Sequence, residues 1–573
     1  MTLIDFLRQR GTDPAERDRV WLRFEEEEYT FGDAFRHVRR YARLFLRHRP
    51  ESGPFHLGIL MENRPEFVFA ELGIGMAGGT MIGLNPTRRG AHLARDVGFS
   101  DCALLLTEPR FGALLAEALV TPCENPPGPN RVWITTERNA GQHGAFGFEP
   151  LEPDLARVPD AHEDPRIDVP DDGLFLILFT SGTTQAPKGV MRSHGPLALM
   201  GAGGGCNWAG ARPEDVVYTA MPLFHANAQI LGLALSLGCG TGWALARSFH
   251  KTRFLDDVRR FGATLFHYVG SPLAYIMDTP ERADDSDNPL RLAFGNEAPR
   301  QFIAEFARRF GCRVSDSYGA SEVGVTFTRE DGDPPGCLGR AMPGVKVLNA
   351  DDEECEVARF DSSGRLLNPE PAIGEIVNTA GRGLFEGYYK NPDATNERTR
   401  GNRYYSGDLG YRDEEGFVYF AGRSAEWLRV AGENFLARPI EAIFARHPDV
   451  FLVAVYAVPD PEAGDRVMAA IVPRAGASFD AAGFTAFLDA QPDLSPKWRP
   501  TFVRIARELR RTETNKVLKR ELQREGFFLD RVADPIWWIE RGDEHYKRLT
   551  QRDVDRLIEQ FQRAGNEARL ELR

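Results

Sequence analysis

The chain has 573 residues, 42% apolar and 27% charged, and 70 basic against 83 acidic side chains give it a net charge of −13. That length has room for roughly two to four domains, and the composition excludes intrinsic disorder and a collagen-like fibre. The acidic balance argues against general nucleic-acid binding and leaves a small anionic ligand at a locally positive site open.

Along the first third, strand-like and helix-like segments alternate. His56 to Met61 reads as a short strand, Pro65 to Met76 as a helix and Thr80 to Gly83 as a strand. Arg88 to Val97 reads as a helix and Cys102 to Thr107 as a strand. Such alternation predicts βαβ units and a largely parallel sheet. The four acids Glu25 to Glu28 predict a solvated turn. Gly73-Ile74-Gly75-Met76-Ala77-Gly78 matches G-x-G-x-x-G but follows a helix-like segment, so tight helix packing is expected rather than a dinucleotide site. Residues 122–172 read as surface connections. The apolar run Leu174 to Phe179 predicts a central buried strand.

The uncharged stretch Ala226 to Ala246 is long enough to suggest a membrane span. Asn227, Gln229 and the sequence GCGTG at 238–242 instead predict a buried helix followed by a buried strand. Gly203-Gly204-Gly205 fits a loop or room for a ligand equally well. From 330 to 425 short strand-like pieces between turn sequences predict a smaller antiparallel region. Beyond Arg423 the pattern is that of a compact α+β domain. The tail from 531 carries an amphipathic helix with Val554, Leu557, Ile558 and Phe561 on one face. The seven cysteines are odd in number and form no C-x-x-C, so neither a disulfide framework nor a zinc site is expected and a reducing cytosol fits. No secretory signal pattern opens the chain.

Four segments carry chemistry. Leu178-Phe179-Thr180-Ser181-Gly182-Thr183-Thr184-Gln185-Ala186-Pro187-Lys188-Gly189 runs from a strand into a loop of small hydroxyl residues that ends in a lysine. Hydroxyls and backbone N–H groups there suit phosphate oxygens, although the loop is no Walker A sequence; the plain alternative is a surface turn. Asp316-Ser317-Tyr318-Gly319-Ala320-Ser321-Glu322 sets a ring that can pack on a base beside a carboxylate that can hold Mg²⁺. Tyr404-Tyr405-Ser406-Gly407-Asp408-Leu409-Gly410, followed by Gly422-Arg423, offers a carboxylate to ribose hydroxyls or is an Asp-capped turn. Arg511-Thr512-Glu513-Thr514-Asn515-Lys516-Val517-Leu518-Lys519-Arg520 is a basic run, with a solvated face as its alternative.

Their order and spacing resemble the adenylate-forming superfamily: acyl-CoA synthetases, peptide-synthetase adenylation domains and luciferases. Pro222-Leu223-Phe224-His225, Gly339 to Gly344, Gly374-Glu375-Ile376 and Gly387-Tyr388-Tyr389 add further matches, over about residues 20 to 525. The resemblance implies an α/β fold: a large N-terminal domain (1–422) of mixed and parallel sheets layered with helices plus a β-rich subdomain. A small mobile α+β C-terminal domain (423–530) and an extension (531–573) would follow. It implies ATP-dependent acyl-AMP formation and then thioester formation with coenzyme A. No Ser-His-Asp constellation is needed, because the substrate carboxylate is the nucleophile and the enzyme positions it and stabilises charge.

Carried over by position, Thr180, Ser181, Gly182, Thr183, Thr184 and Lys188 would hold phosphates, with Thr180 and Glu322 at Mg²⁺. Tyr318, Gly319, Ser321 and the backbone of Gly295, Asn296, Glu297 and Ala298 would surround the adenine. Asp408 and Arg423 would bind ribose. Lys516 would reach the reacting oxygens in the first step, His225 would lie between acyl pocket and nucleotide, and Gly432 and Glu433 would border the coenzyme A tunnel. Gln185, Asn515 and Ala425 depart from the family pattern. The segments expected to line the acyl pocket, His225 to Ile230, Tyr268 to Pro272 and Asn296, are small or apolar, which favours an apolar chain. Leu84-Asn85-Pro86-Thr87-Arg88-Arg89-Gly90 and the Trp537-Trp538 tail resemble the fatty-acid transport protein branch and actinobacterial fatty-acid–CoA ligases, and so imply long or very long chains. A sterol side-chain acid, a carrier protein as acceptor, a membrane-associated uptake role with peripheral contact through the tail helix, and a homodimer remain open alternatives.

Overall fold

The computed structural model describes the chain except residues 123–127, 129–130, 137–144, 161–164, 166–167, 181–187, 331, 335, 362–365, 424–426, 431–432, 463, 513–516, 541–542 and 572–573, and at 145, 204, 427, 433, 434 and 571 it describes backbone alone. The chain divides into two compact units, Met1–Thr328 with Arg382–Thr399, and Arg329–Gly381 with Arg400–Arg573.

The first unit contains a seven-stranded sheet. Its order is Glu149–Pro150, Arg131–Ile134, Cys102–Thr107, His56–Leu60, Thr80–Gly83, Leu174–Phe179 and Gly189–Ser193. All neighbours are parallel except the last pair. Helices Pro65–Met76 and Gly90–Phe99 alternate with these strands as the pattern predicts. Leu57, Ile59, Met81, Ile82, Leu104 and Leu105 are fully buried, as parallel strands covered on both faces require. Leu174–Phe179 is buried but second from the edge rather than central. It lies parallel to Thr80–Gly83 and antiparallel to Gly189–Ser193. The chain therefore reverses after Phe179, at the carboxyl end of the parallel strands, where open α/β sheets bind ligands.

The second sheet of this unit has eight strands: Thr326–Phe327, Arg313–Gly319, Leu292–Asn296, Leu265–Val269, Val216–Thr219, Gly242–Leu245, Val20–Phe24 and Glu27–Thr30. The inner strands are parallel and the two outer pairs antiparallel. Of the four acids near the start, Glu25 and Glu26 form the exposed turn, while Glu27 and Glu28 begin the edge strand. Gly73 and Gly75 are helix-packing positions: a Cβ would come within 2.6 Å of Tyr41 Cβ and 2.4 Å of the Phe175 ring respectively.

The stretch 226–246 is a buried helix followed by the buried strand Gly242–Leu245. Within it Gln229–Ala234 is π-helical, and so is Met200–Gly205. The glycine run is thus helical, not a loop. The two π segments touch, and a Cβ on Gly201 would meet the Ala234 carbonyl oxygen at 2.2 Å. A disulfide joins Cys206 to Cys239 across this helix pair. It corrects the expectation, drawn from cysteine count and spacing, that the thiols stay reduced. The two residues are 33 apart in sequence, and only the packing of their helices brings the Cα atoms to 5.9 Å.

In the second unit Cys337–Arg340, Phe417–Arg423, Tyr404–Arg412, Gly374–Asn378 and Val345–Leu348 form the antiparallel sheet expected between 330 and 425. The expected boundary at 422/423 falls inside this unit, where Leu409, Ala421 and Leu436 form one small core. A mixed sheet follows: Val450–Pro459, Asp465–Pro473, Phe502–Ile505, Ile536–Trp538 and Lys547–Arg548. Residues beyond 531 thus extend a sheet of this unit. The helix Gln551–Arg563 buries Val554, Leu557 and Phe561 and leaves Ile558 partly exposed.

Candidate active site

In the first unit, Phe179 pairs with Gly189, and the Thr180 N–H donates to the Lys188 carbonyl at 3.0 Å. These bonds close the mouth of the hydroxyl-rich loop. Ser181, Gly182, Thr183, Thr184 and Gln185 lie outside the described residues. The Lys188 ammonium stands 4.0 Å from the Glu397 carboxylate and 5.1 Å over the Tyr388 ring. The Tyr388 hydroxyl donates to Glu322 Oε1 at 2.8 Å. Burial and the neighbouring Glu322 charge hold the phenol well above its usual value, so it remains a donor. The backbone sets its place, because Met191 N–H donates to the Gly387 carbonyl at 3.1 Å and Tyr389 N–H to the Gly189 carbonyl at 2.8 Å.

Arg192, 3% exposed, ties the same region together. Its guanidinium donates to the Ser321 carbonyl at 2.5 Å and to the Leu384 carbonyl, and lies 3.6 Å from Glu386. Sequence reasoning assigned no role to Tyr388 or Arg192. The signals were present, as the Gly387-Tyr388-Tyr389 match and as an arginine in the otherwise mostly apolar strand Gly189–Ser193.

Leu292–Asn296 and Arg313–Gly319 lie side by side, with Gly295 opposite Asp316 and Asn296 opposite Ser317. A Cβ on Gly295 would stand 2.1 Å from the Tyr268 carbonyl oxygen. Asp316 Oδ1 accepts from the Ala298 N–H and the Tyr268 hydroxyl, each at 3.0 Å. Glu297 takes a left-handed φ of 64°, a rare conformation for a residue with a side chain. Asn296 Nδ2 donates to Ser317 Oγ at 3.1 Å. The Tyr318 ring packs 5.6 Å from Phe327. The structure therefore brings Gly295 to Ala298 beside Tyr318 and Gly319.

His225 precedes the short helix Ala226–Ala228, its ring 4.5 Å from that of Phe224. The segment is anchored from two sides. Asn63 Nδ2 donates to the carbonyls of Met221 at 3.0 Å and Ala246 at 2.9 Å, and its Oδ1 accepts from the Leu223 N–H at 2.9 Å. Asn227 Nδ2 donates to the Tyr268 carbonyl at 3.1 Å, which turns its Oδ1 toward His267 Nδ1 at 2.7 Å. Thr219 Oγ1 accepts from Trp243 Nε1 at 2.7 Å and donates to His267 Nε2 at 2.6 Å. Burial pushes His267 down to about 3, so the imidazole is neutral, with Nδ1–H donating to Asn227 and Nε2 accepting from Thr219. Asn63 and His267 were not singled out in the sequence. Beyond His225, Ala226, Gln229 and Ile230 line a mostly apolar cleft with Leu176, Leu178, Val190 and Leu197, and Arg192 and Ser321 also border it. It has about one water molecule's worth of free room.

In the second unit, Asp408 and Arg423 face each other across adjacent strands, with Arg423 Nε 3.3 Å from Asp408 Oδ1. The Gly407 N–H donates to Glu375 Oε1 at 2.7 Å, and Ser406 Oγ donates to the Ile376 carbonyl at 2.7 Å. Lys516, Asn515, Ala425 and Gly432 lie outside the described residues. Arg511 and Val517, which flank Lys516, form a bridge, and Glu433 begins the strand Glu433–Leu436.

Comparison with known proteins decides the family. The model for the AMP-binding enzyme matches residues 10–389, and that for the AMP-binding enzyme C-terminal domain matches 439–516. The chain belongs to the AMP-binding enzyme family. It is 42% identical to the steroid-22-oyl-CoA synthetase of Rhodococcus jostii, over 96% of each chain. It is 41% identical to a medium/long-chain-fatty-acid–CoA ligase of Mycobacterium marinum, over 90% of this chain and 95% of that one. The anthranilate CoA ligase AuaEII, crystallised with anthranoyl-AMP, superposes with a TM-score of 0.78 at 20% identity, covering 91% of this chain and 96% of that one; it shares the fold.

For an AMP-binding enzyme the residues present fit a nucleotide. The Thr180 hydroxyl, the Lys188 ammonium and the Glu322 carboxylate make a donor set suited to phosphate and a divalent cation. Among the described residues no group of three or more His, Cys, Asp and Glu is placed to hold a metal. Such a set suits a cation carried partly by phosphate oxygens, as Mg²⁺ usually is. Among the described residues no helix is long and apolar enough to cross a membrane.

Proposed function

We propose that this acyl-CoA synthetase activates a long- or very-long-chain fatty acid with ATP and Mg²⁺, forming acyl-AMP and pyrophosphate, and then forms the coenzyme A thioester with release of AMP. The observation that carries the chemistry is the grouping of Lys188, Tyr388 and Glu322 beside the Thr180 loop mouth. In this reading Thr180, the loop and Lys188 hold the phosphates, and Glu322, oriented by Tyr388, holds Mg²⁺, which supplies charge neutralisation. Gly295 to Ala298 and Tyr318 receive the adenine, and Asp408 with Arg423 the ribose. The substrate carboxylate attacks the α-phosphorus while Lys516 stabilises the charge that develops. The segment after 423 then turns, parting Leu436 from Leu409 and Ala421, to present Gly432 and Glu433 to coenzyme A, whose thiol attacks the acyl carbonyl and expels AMP.

The cleft beyond His225 supports an apolar acid, since Leu176, Leu178, Val190, Leu197 and Ile230 supply hydrocarbon walls and the bordering Arg192 guanidinium is engaged by the Ser321 and Leu384 carbonyls. Its small free volume means that the walls must part to admit a long chain. A steroid side-chain acid is the second reading, favoured by the 42% identity to a steroid-22-oyl-CoA synthetase. The apolar face of Gln551–Arg563 is buried, which removes the support that this helix would have lent to membrane contact. The test is ATP- and Mg²⁺-dependent pyrophosphate release across acids from acetate to very long chains, plus a steroid side-chain acid, with and without coenzyme A. Release confined to long chains bears out the first reading, release confined to the steroid acid the second, and acyl-AMP without thioester indicates another acceptor. Lys516→Ala is expected to abolish acyl-AMP formation while sparing thioester formation from supplied acyl-AMP; equal loss of both halves rejects the two-conformation scheme.

A further inference from the structure

Helix Pro65–Met76 is almost wholly buried, and it buries Glu71 completely. The Gln229 amide meets this carboxyl: Nε2 donates to Glu71 Oε2 at 3.0 Å and to the Leu223 carbonyl at 2.6 Å. Among the described residues, Glu71 Oε1 and Gln229 Oε1 have no partner. An ionised carboxylate would leave a buried charge and two unmet acceptors here, an expensive arrangement. A protonated carboxyl removes it. Its O–H would supply the donor that the Gln229 carbonyl oxygen needs, and acid and amide would then close into a ring of two hydrogen bonds. Burial pushes the Glu71 carboxyl up to about 8, against which only the Gln229 hydrogen bond acts.

Gln229 also begins the π-helical segment Gln229–Ala234 and stands with Ala226 and Ile230 on the wall of the cleft. We propose that Glu71, as the neutral acid, saturates the hydrogen-bonding groups of Gln229 and thereby makes this wall selective for plain hydrocarbon. With both amide hydrogens and the carbonyl oxygen engaged, Gln229 offers nothing to a polar substituent. The preferred substrate is then an acyl chain without a hydroxyl or oxo group where it passes Gln229. Glu71 acts through Gln229 and is a positioning residue. The inference rests on the cleft being the acyl site.

Two measurements test it. Infrared difference spectroscopy of the whole protein at near-neutral pH, wild type minus E71Q, reads the acid without any assay. The expected result is loss of a protonated-carboxyl carbonyl stretch; loss of a carboxylate band instead overturns the proposal. The second arm compares kcat/KM for plain and mid-chain hydroxylated fatty acids in thioester formation. E71Q, whose amide reproduces both hydrogen bonds, is expected to keep the wild-type ratio. E71L strands the Gln229 amide and is expected to move the ratio toward the hydroxylated acid by roughly tenfold. An unchanged ratio in folded E71L overturns the proposal. If E71L does not fold, the unbranched E71M decides: a ratio moved toward the hydroxylated acid supports the proposal and an unchanged ratio overturns it. Wild-type protein that makes no thioester from any fatty acid, plain or hydroxylated, strikes the fatty-acid reading and the selectivity with it, while the infrared result still reports on the pair.

Discussion

Tyr388 does its work through one hydroxyl. It donates to Glu322 and lies beneath the Lys188 ammonium, so the cation and the carboxylate of the nucleotide site share one aromatic support. A hydrogen bond to a charged group is worth about 1.5–3 kcal/mol. Tyr388→Phe is therefore expected to lower kcat/KM for pyrophosphate release by roughly ten- to hundredfold and to raise the Mg²⁺ concentration needed for half-maximal rate. The thermal midpoint should fall by only a few degrees, because the ring and its packing remain. A variant with unchanged Mg²⁺ dependence removes Tyr388 from the site. Residues of this kind are hard to find in one sequence. Lys188, Glu322 and Asp408 stood out because each closes a local motif, whereas Arg192 and Asn63 act on carbonyls far along the chain and leave no local pattern.

Among the elements, the helix pair flanking the cleft is the least expected. Apolar spacing revealed a buried helix at 226–239 but not its π-helical turns, since one extra residue in a turn does not alter a uniformly apolar stretch. Small residues let the two helices meet, as at Gly201 against Ala234 and Gly238 against Ala202. The Cys206–Cys239 bond closes a loop of 33 residues, which by chain entropy stabilises by about 3–4 kcal/mol. Reduction, or Cys206→Ser, should accordingly move the denaturant midpoint of the first unit downward. Superimposable curves for the oxidised and reduced protein would show that the bond adds no stability. The strands His56–Leu60, Thr80–Gly83, Cys102–Thr107 and Leu174–Phe179 were legible because each is a short apolar run bounded by turns. The tail strands Ile536–Trp538 and Lys547–Arg548 were not, because three and two residues are too few to show a period.

For the whole molecule, buried ionisable groups set the pH range of stability. His267 and His194 are pushed from 6.5 down to about 3 and about 4 by burial. The unfolded chain takes up their protons first, so stability falls as pH drops below about 6.5. Glu71 and Asp96 act in the opposite sense. Glu71 is raised from 4.5 to about 8 and Asp96 from 3.8 to about 6, each chiefly by burial. The folded state keeps protons that the unfolded chain has released, so stability falls as pH rises through those ranges. Between about pH 7 and 8 the Asp96 and histidine contributions are nearly complete and Glu71 supplies the remaining slope. Denaturant midpoints over that interval should decline in the wild type and stay flatter in Glu71→Gln; equal slopes would mean that Glu71 is ionised in the fold. The sequence by itself determined the α/β class, the alternation of strands and helices in the first third and the family, and it singled out the motifs proposed for the nucleotide. These depend on local periodicity and on short chemical signatures, which a linear chain displays. Only the tertiary structure decided the Tyr388 support, the Asn63 and Arg192 anchors, the Cys206–Cys239 bond and the Glu71–Gln229 pair. Each joins side chains or carbonyls distant in sequence, and their hydrogen bonds and burial exist only once packing has brought them together.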